Sequence, residues 1–161
     1  MVVLVEMTQE ELNKYLEHAI QGLADELMQA NAWSAEQSLA AAEQSFDTAL
    51  PGRIVGSPNQ FLRTIVADQQ KVGVLWYGLR GDREAFVWDL VIHPIWRNQG
   101  LAKSAMLAME QELRTMQVTR ITLNVFAHNP VAMRLYSTMG YRALAIRMAK
   151  ELTSQDSQTQ G

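Results

Sequence analysis

A strand that leads through a short glycine-containing loop directly into a helix constrains the fold of this chain more than any other feature. Glu84–Ile92 is strand-like, residues 97–100 form a polar loop, and Leu101–Met116 carries apolar residues at helical spacing. Arg120–Val125 follows as a strand of alternating pattern. A strand–helix–strand crossover of this kind belongs to an α+β or mixed α/β sheet.

The segment before this crossover predicts one strand and two helices. Val2–Val5 is a short apolar run typical of a first strand. Two amphipathic patterns follow, each opening on a capping box, at Thr8 and at Ser34. We therefore expect two helices that are joined near residues 31–33, with the second ending near Ala49.

Three strands separated by tight turns come next. Phe61–Ala67 and Val72–Leu79 are strand-like, and Glu84–Ile92 is the third member. Residues 68–71 and 80–83 are typical of hairpin turns. The pattern predicts an antiparallel meander that feeds the crossover.

The C-terminal part predicts a helix and a last strand. Asn129-Pro130 is a cap followed by a proline at the first helical position. The helix runs to Met139 and stops at Gly140, and Tyr141–Leu152 has the pattern of a final strand. The predicted order is β-α-α-β-β-β-α-β-α-β.

Length and composition limit the class of protein. A chain of 161 residues with 48% hydrophobic content fits one domain, which we place at residues 1–152, with a polar and disordered tail at 153–161. The chain has no cysteine, so thiol nucleophiles and cysteine-ligated metals are excluded, and its three histidines lack metal-ligand spacing. A net charge of −3 gives no footprint for nucleic acid. We expect no metal, no membrane span and a cytoplasmic protein.

The loop before the third helix is a candidate anion site. The first amides of a helix have no internal partners, and the helix dipole is positive there. Gly100 lets backbone approach a phosphate, Ala102 keeps the helix start small, and Arg97 and Lys103 add positive charge. The alternative interpretation is that Gly100 is only a turn residue.

The surrounding residues resemble the GNAT superfamily of acyl-CoA-dependent N-acyltransferases. The family's Arg/Gln-x-x-Gly-x-Gly/Ala signature reads Arg97-Asn98-Gln99-Gly100-Leu101-Ala102 here. Asn129 and Tyr136 stand seven residues apart ahead of Gly140-Tyr141, as in the family. The resemblance is specific over residues 84–141. It implies a central mixed, mostly antiparallel sheet flanked by helices.

The resemblance also implies acetyl-CoA as cosubstrate. In such proteins the fourth strand splays from the fifth, and pantetheine lies in the gap. Main-chain groups of the fourth strand would bond pantetheine, the loop and helix amides would hold the pyrophosphate, and an amide near Val91 would polarise the thioester. The residues so implied are Leu90, Val91, Ile92, Arg97, Asn98, Gln99, Gly100, Leu101, Ala102, Lys103 and Asn129.

Two residues are the implied acid and base. Tyr136 would protonate the leaving thiolate, although its helical spacing also fits a core position. Many family members have a glutamate where this chain has Asn124, so the base falls to Asp89 on the fourth strand, or less well to Glu84. Asp89 could instead be a structural carboxylate at a β-bulge, and Asn129 a plain helix cap.

The predicted activity is direct transfer of an acetyl group to a primary amine of a small molecule or peptide. A non-catalytic acyl-CoA-binding regulatory module is the alternative, because Asn124 cannot take a proton. A nucleotide-binding protein that uses Gly100 to hold a phosphate is a weaker alternative. We also expect a homodimer, since one apolar strand after Gly140 leaves a sheet edge to be covered.

Overall fold

The computed structural model describes residues 1–152 and contains five strands and four α-helices. No helix within this range is long and apolar enough to cross a bilayer. The elements are β1 Val2–Glu6, α1 Gln9–Asn31, α2 Ala35–Ala49, β2 Gln60–Ala67, β3 Gln70–Arg80, β4 Glu84–Ile92, α3 Leu101–Thr115, β5 Arg120–Leu123 and α4 Pro130–Thr138.

The strands form one sheet in sequence order, β1-β2-β3-β4-β5. Every neighbouring pair is antiparallel except β4 and β5, which run parallel. The helix α3 makes the crossover between these two strands, as a parallel pair requires. The predicted mixed, mostly antiparallel sheet flanked by helices is confirmed.

Both faces of the sheet are covered by helices. On one face α3 packs a cluster that includes Leu75, Met106 and Met109. On the other face, α1 and α2 pack a second cluster that includes Leu12 and Phe46. The sheet therefore lies between two apolar layers.

Side-chain caps explain where the first helices begin. Thr8 and Ser34 each accept a hydrogen bond from the third helical amide, and their own amides donate to the side-chain oxygens of Glu11 and Gln37. These reciprocal pairs satisfy amides that a helix leaves free at its start. The two capping boxes predicted from the sequence are confirmed.

The predicted last strand is wrong for the single chain. Tyr141–Leu152 contains no strand, and residues 142–152 are all exposed. Its apolar alternation suits a strand, but a strand also needs a neighbour that accepts its backbone hydrogen bonds, and none lies beside it in the described chain. The polar tail predicted at residues 153–161 lies outside the described residues.

Candidate active site

The fourth strand is open along half of its length. Its first four residues pair with β5, from Glu84 opposite Arg120 to Val87 opposite Leu123. There β5 ends, while β4 continues to Ile92 with β3 as its only partner in the described chain. The strand therefore presents unpaired backbone groups toward a gap on the β5 side.

A bulge in β4 turns two consecutive side chains toward α1 and α2. The register with β3 shifts so that Trp76 faces Asp89 while Tyr77 faces Val87, which leaves Trp88 as the extra residue. Trp88 packs with the cluster under α1 and α2, and Asp89 contacts α1 as well. Strict alternation would put these neighbours on opposite faces.

The residues implied in pantetheine binding follow the bulge directly. Leu90, Val91 and Ile92 are half-buried and lie along the open part of β4. On their other side β3 approaches closely, because a Cβ at Gly73 would stand 2.1 Å from the carbonyl oxygen of Val91. Sequence reasoning missed Gly73, which a strand pattern alone does not distinguish.

The loop after β4 ends in two left-handed residues. Asn98 has φ of 61° and Gly100 has φ of 74°. Gly100 is the N-cap of α3, and no side chain caps the helix. The Arg97 side chain turns back instead, and its Nε donates to the Ile92 carbonyl at 3.0 Å.

This helix start fits an anion. The amides of Leu101, Ala102 and Lys103 are the first three of α3, which have no partner inside a helix. A Cβ at Gly100 would meet nothing within 4 Å, so the space above it is open. Gln99 is exposed beside it. Backbone N–H groups at the positive end of a helix dipole hold phosphate groups well.

Asp89 is held by a residue that sequence reasoning missed. The Tyr15 hydroxyl, on α1, donates to Asp89 Oδ2 at 2.6 Å. Burial raises the pKa of the Asp89 carboxyl above its ordinary value, and the Tyr15 hydrogen bond opposes that shift. In the sequence, Tyr15 is one of the apolar residues at helical spacing in the first predicted helix. No signal in the sequence connected it with Asp89.

Tyr136 approaches the same carboxylate from α4. Burial raises the pKa of Tyr136 to about 12, and the negative charge of Asp89 adds to the rise. Its ring packs 5.7 Å from that of Tyr141, whose hydroxyl donates to Glu110 on α3. Tyr136 therefore stays protonated at neutral pH and lies near the carboxylate.

The remaining candidate residues have structural partners or lie exposed. Asn129 caps α4, with its Oδ1 accepting from the Ala132 amide at 3.1 Å. Glu84 accepts from the Thr122 hydroxyl at 3.0 Å, in the paired half of β4. Asn124 is exposed beyond the end of β5. The structure thus brings together Asp89, Tyr136 and the open part of β4, whereas Glu84 lies apart from them.

A gap between the fourth and fifth strands, next to a helix start with free amides, is the arrangement that the GNAT resemblance implies. The sequence model of the acetyltransferase (GNAT) family matches residues 20–141. The chain belongs to the GNAT family. Two Bacillus subtilis relatives agree with this assignment over nearly the whole chain. The uncharacterized N-acetyltransferase YdgE is 32% identical over 154 residues, which cover 92% of this chain and 97% of YdgE.

The second relative is the uncharacterized N-acetyltransferase YycN, 31% identical over 94% of this chain and 99% of YycN. The crystal structure of YycN matches with a TM-score of 0.88 and covers 96% of this chain and 100% of that one. The PaiA N-acetyltransferase of Thermoplasma acidophilum, solved with coenzyme A, matches with a TM-score of 0.65 at 14% identity, over 91% of this chain and 93% of that one. At that identity the likeness concerns the fold alone. The GNAT chain described here is therefore an acyltransferase by family.

Proposed function

We propose that this GNAT protein transfers an acetyl group from acetyl-CoA to a primary amine on a small molecule or peptide. The observation that carries the proposal is the position of the open β4 edge. It leads from the Asp89 carboxylate toward the uncapped start of α3. Acetyl-CoA fits this arrangement, because its pantetheine arm is extended and carries polar amides that suit the open β4 edge. Its pyrophosphate suits the uncapped start of α3.

The binding residues have separate tasks. Backbone groups of Leu90, Val91 and Ile92 bond the pantetheine arm as a neighbouring strand would. The amides from Asn98 to Lys103 hold the pyrophosphate. Asn129 supports the cleft from the cap of α4, since its Nδ2 remains available while its Oδ1 serves the helix.

The reaction is an acyl transfer by direct attack. The bound thioester supplies an electrophilic carbonyl carbon and a thiolate leaving group. A primary amine of the lysine type has a pKa of about 10.4, so it arrives as an ammonium ion and must lose a proton before it attacks. The new C–N bond then forms as the C–S bond breaks. The chain has no cysteine to form an acyl-enzyme by a thiol, which favours transfer in a ternary complex.

Asp89 is the proposed base. A carboxylate buried near the end of the open strand attracts the ammonium ion, and its raised pKa makes it a better proton acceptor than an exposed aspartate. The Tyr15 hydroxyl and the Leu90 amide both donate to the carboxylate and orient it, and its remaining lone pairs take the proton directly or through water.

Tyr136 is the proposed acid. Its hydroxyl is protonated at neutral pH and lies close enough to Asp89 to feel its charge. It donates its proton to the departing thiolate, and the acylated nitrogen, which still carries one extra proton, returns a proton to the tyrosinate directly or through water. A main-chain amide near Val91 polarises the thioester carbonyl, as oxyanion-hole amides do.

The test is thiol release across a panel of amines. Because the chain has no cysteine, CoA is the only thiol that a colorimetric reagent detects in the assay. We expect release that depends on both acetyl-CoA and at least one primary amine. Saturable CoA binding without release by any amine would support the regulatory module instead, and a thermal shift larger with nucleotides than with CoA would support nucleotide binding.

A further inference from the structure

The segment that carries Tyr136 is held to the rest of the protein at few points. α4 contains no fully buried residue, although the Tyr136 ring packs against the core. Within the described chain, the backbone hydrogen bonds of residues 125–140 all stay inside this segment. The position of the Tyr136 hydroxyl therefore depends on how the two ends of the segment are fixed.

The C-terminal end of α4 is fixed on α3. The Tyr141 amide donates to the Tyr136 carbonyl at 3.0 Å, and the Tyr141 hydroxyl donates to Glu110 at 3.1 Å. These bonds hold the last turn of α4 and leave the position of its first turn to other contacts.

The N-terminal end is fixed on α1 by one pair of side chains. His128, in the loop after β5, meets the Glu26 carboxylate through its Nε2 atom. A carboxylate oxygen only accepts, so Nε2 carries the proton in this pair and donates it. The Phe126 ring stacks on the imidazole with centroids 5.3 Å apart, which orients it. Among residues 1–152, this is the one hydrogen bond that joins residues 125–140 to α1.

The helix that receives His128 also holds the proposed base. Tyr15 and Glu26 are eleven residues apart on α1, which is three turns, so they lie on one face of the helix about 16 Å apart. Tyr15 donates to Asp89 on β4, whereas Glu26 accepts from His128 beyond the end of β5. α1 therefore bridges the gap between the two strands and fixes the distance across it.

We propose that Glu26 and His128 are positioning residues, which place the Tyr136 hydroxyl relative to Asp89 by fixing the start of α4 on α1. The inference rests on the proposed acetyl transfer, in which Tyr136 protonates the departing thiolate. A misplacement of about 1 Å can cost about 10²-fold in rate. CoA affinity should change little, because β3 fixes the open part of β4 and the core fixes α3 without this pair.

The first test compares variants of this pair with a variant of another contact made by α1. His128→Ala and Glu26→Ala each remove the pair, whereas Lys71→Ala removes the ion pair with Glu11 at 2.6 Å, which ties α1 to β3. We expect each variant of the pair to lower kcat for CoA release by about 10–100-fold, with the CoA dissociation constant within about twofold of wild type. The double variant should lose no more than either single variant. Lys71→Ala should keep the wild-type kcat.

Two further variants separate positioning from a purely structural role. His128→Gln keeps an N–H donor at a similar reach, so it should restore most of the kcat that His128→Ala loses. Combining His128→Ala with Tyr136→Phe should lower kcat no further than Tyr136→Phe alone, because the pair acts through that hydroxyl. Under a purely structural role, the two losses would add instead.

Hydrogen exchange of α4 tests the placement without using the reaction. We expect the Ala132 and Met133 amides, which donate to Asn129, to exchange roughly tenfold faster in His128→Ala than in wild type. In Lys71→Ala they should exchange at the wild-type rate.

The outcomes distinguish this inference from the proposed function. Wild-type kcat in both alanine variants of the pair, losses that add to that of Tyr136→Phe, or unchanged exchange in α4 would each overturn the positioning role and leave the proposed function standing. A wild-type chain that releases no CoA with any amine would overturn the proposed function, and the positioning role with it.

Discussion

Replacing Asp89 with asparagine separates a catalytic carboxylate from a structural one. Asn keeps an oxygen that accepts the Tyr15 hydroxyl, so the hydrogen bond at 2.6 Å has a partner in the variant. What the variant loses is the charge and the ability to take a proton. The two interpretations then predict opposite changes in stability.

The stability change follows from the direction of the pKa shift. Burial raises the pKa of folded Asp89, so the folded state loses stability as pH rises through the window between the ordinary value of 3.8 and the raised one. Each pKa unit of the rise corresponds to about 1.4 kcal/mol of unfolding free energy above that window. We expect Asp89→Asn to melt at or above the wild-type temperature at pH 7, with the gain disappearing below the ordinary value.

The rate change goes the other way. Loss of one positioned base typically costs 10²–10⁴-fold. We expect a loss of kcat of about this size, greatest at low pH, where the amine is fully protonated and most needs a base. CoA release measured from pH 5 to 9 gives the profile, and thermal melts from pH 3 to 8 give the stability. Asp82→Asn, in the exposed turn before β4, is the matched control.

A structural Asp89 would give the reverse pattern. Removing a carboxylate that the fold needs would cost about 1–3 kcal/mol. For a chain of this size that lowers the melting temperature by about 2–4 °C per kcal/mol. A lower melting temperature with the rate preserved would refute the proposed base, and the amine would then lose its proton elsewhere.

Three further substitutions test the neighbours of the site. Tyr136→Phe should lower kcat by about 10²–10⁴-fold with CoA affinity nearly unchanged, because the ring still packs. Tyr15→Phe removes a bond that lowers the pKa of Asp89, so the acid limb of the pH–rate profile should move to higher pH. Gly73→Ala should destabilise the chain by about 1–3 kcal/mol in urea unfolding, because its Cβ would stand 2.1 Å from the Val91 oxygen.

For each of these three substitutions, a different result would contradict the expectation. Full activity of Tyr136→Phe would return that tyrosine to a packing role. An unmoved acid limb in Tyr15→Phe would mean that Asp89 does not set the limb. Gly22→Ala is the control for Gly73, because a Cβ there meets nothing within 4 Å, so equal unfolding free energies for the two alanine variants would contradict the close approach of β3 and β4.

Local signals predicted most of the fold. The capping boxes at Thr8 and Ser34 and the apolar period after them depend on neighbours within one helix, so they can be read along the chain. The helix start at Gly100 depends on one backbone conformation that glycine adopts readily. The order of elements followed from these local patterns, and the family resemblance then implied the mixed, mostly antiparallel sheet flanked by helices.

The contacts between distant residues could not be predicted in this way. Tyr15 and Asp89 are 74 residues apart, and only the packing of α1 across the bulge brings them together. The last strand failed for a related reason. The alternation of Leu144, Ile146 and Met148 indicates a preference for extended backbone, but a strand also needs a neighbouring strand, and none lies beside this segment in the described chain.

The proposed function requires that the start of α3 binds the pyrophosphate of acetyl-CoA. Two glycines give a matched test. Gly100 and Gly81 have φ of 74° and 72°, and a Cβ at either meets nothing within 4 Å. A glutamate therefore adds the same strain and charge at both positions, but only position 100 faces the free amides of α3.

Isothermal titration of CoA into these two variants and the wild type measures this binding. We expect saturable binding to the wild type and to Gly81→Glu, and no measurable binding to Gly100→Glu, with similar melting temperatures for the two variants. Unchanged CoA affinity in Gly100→Glu would contradict it.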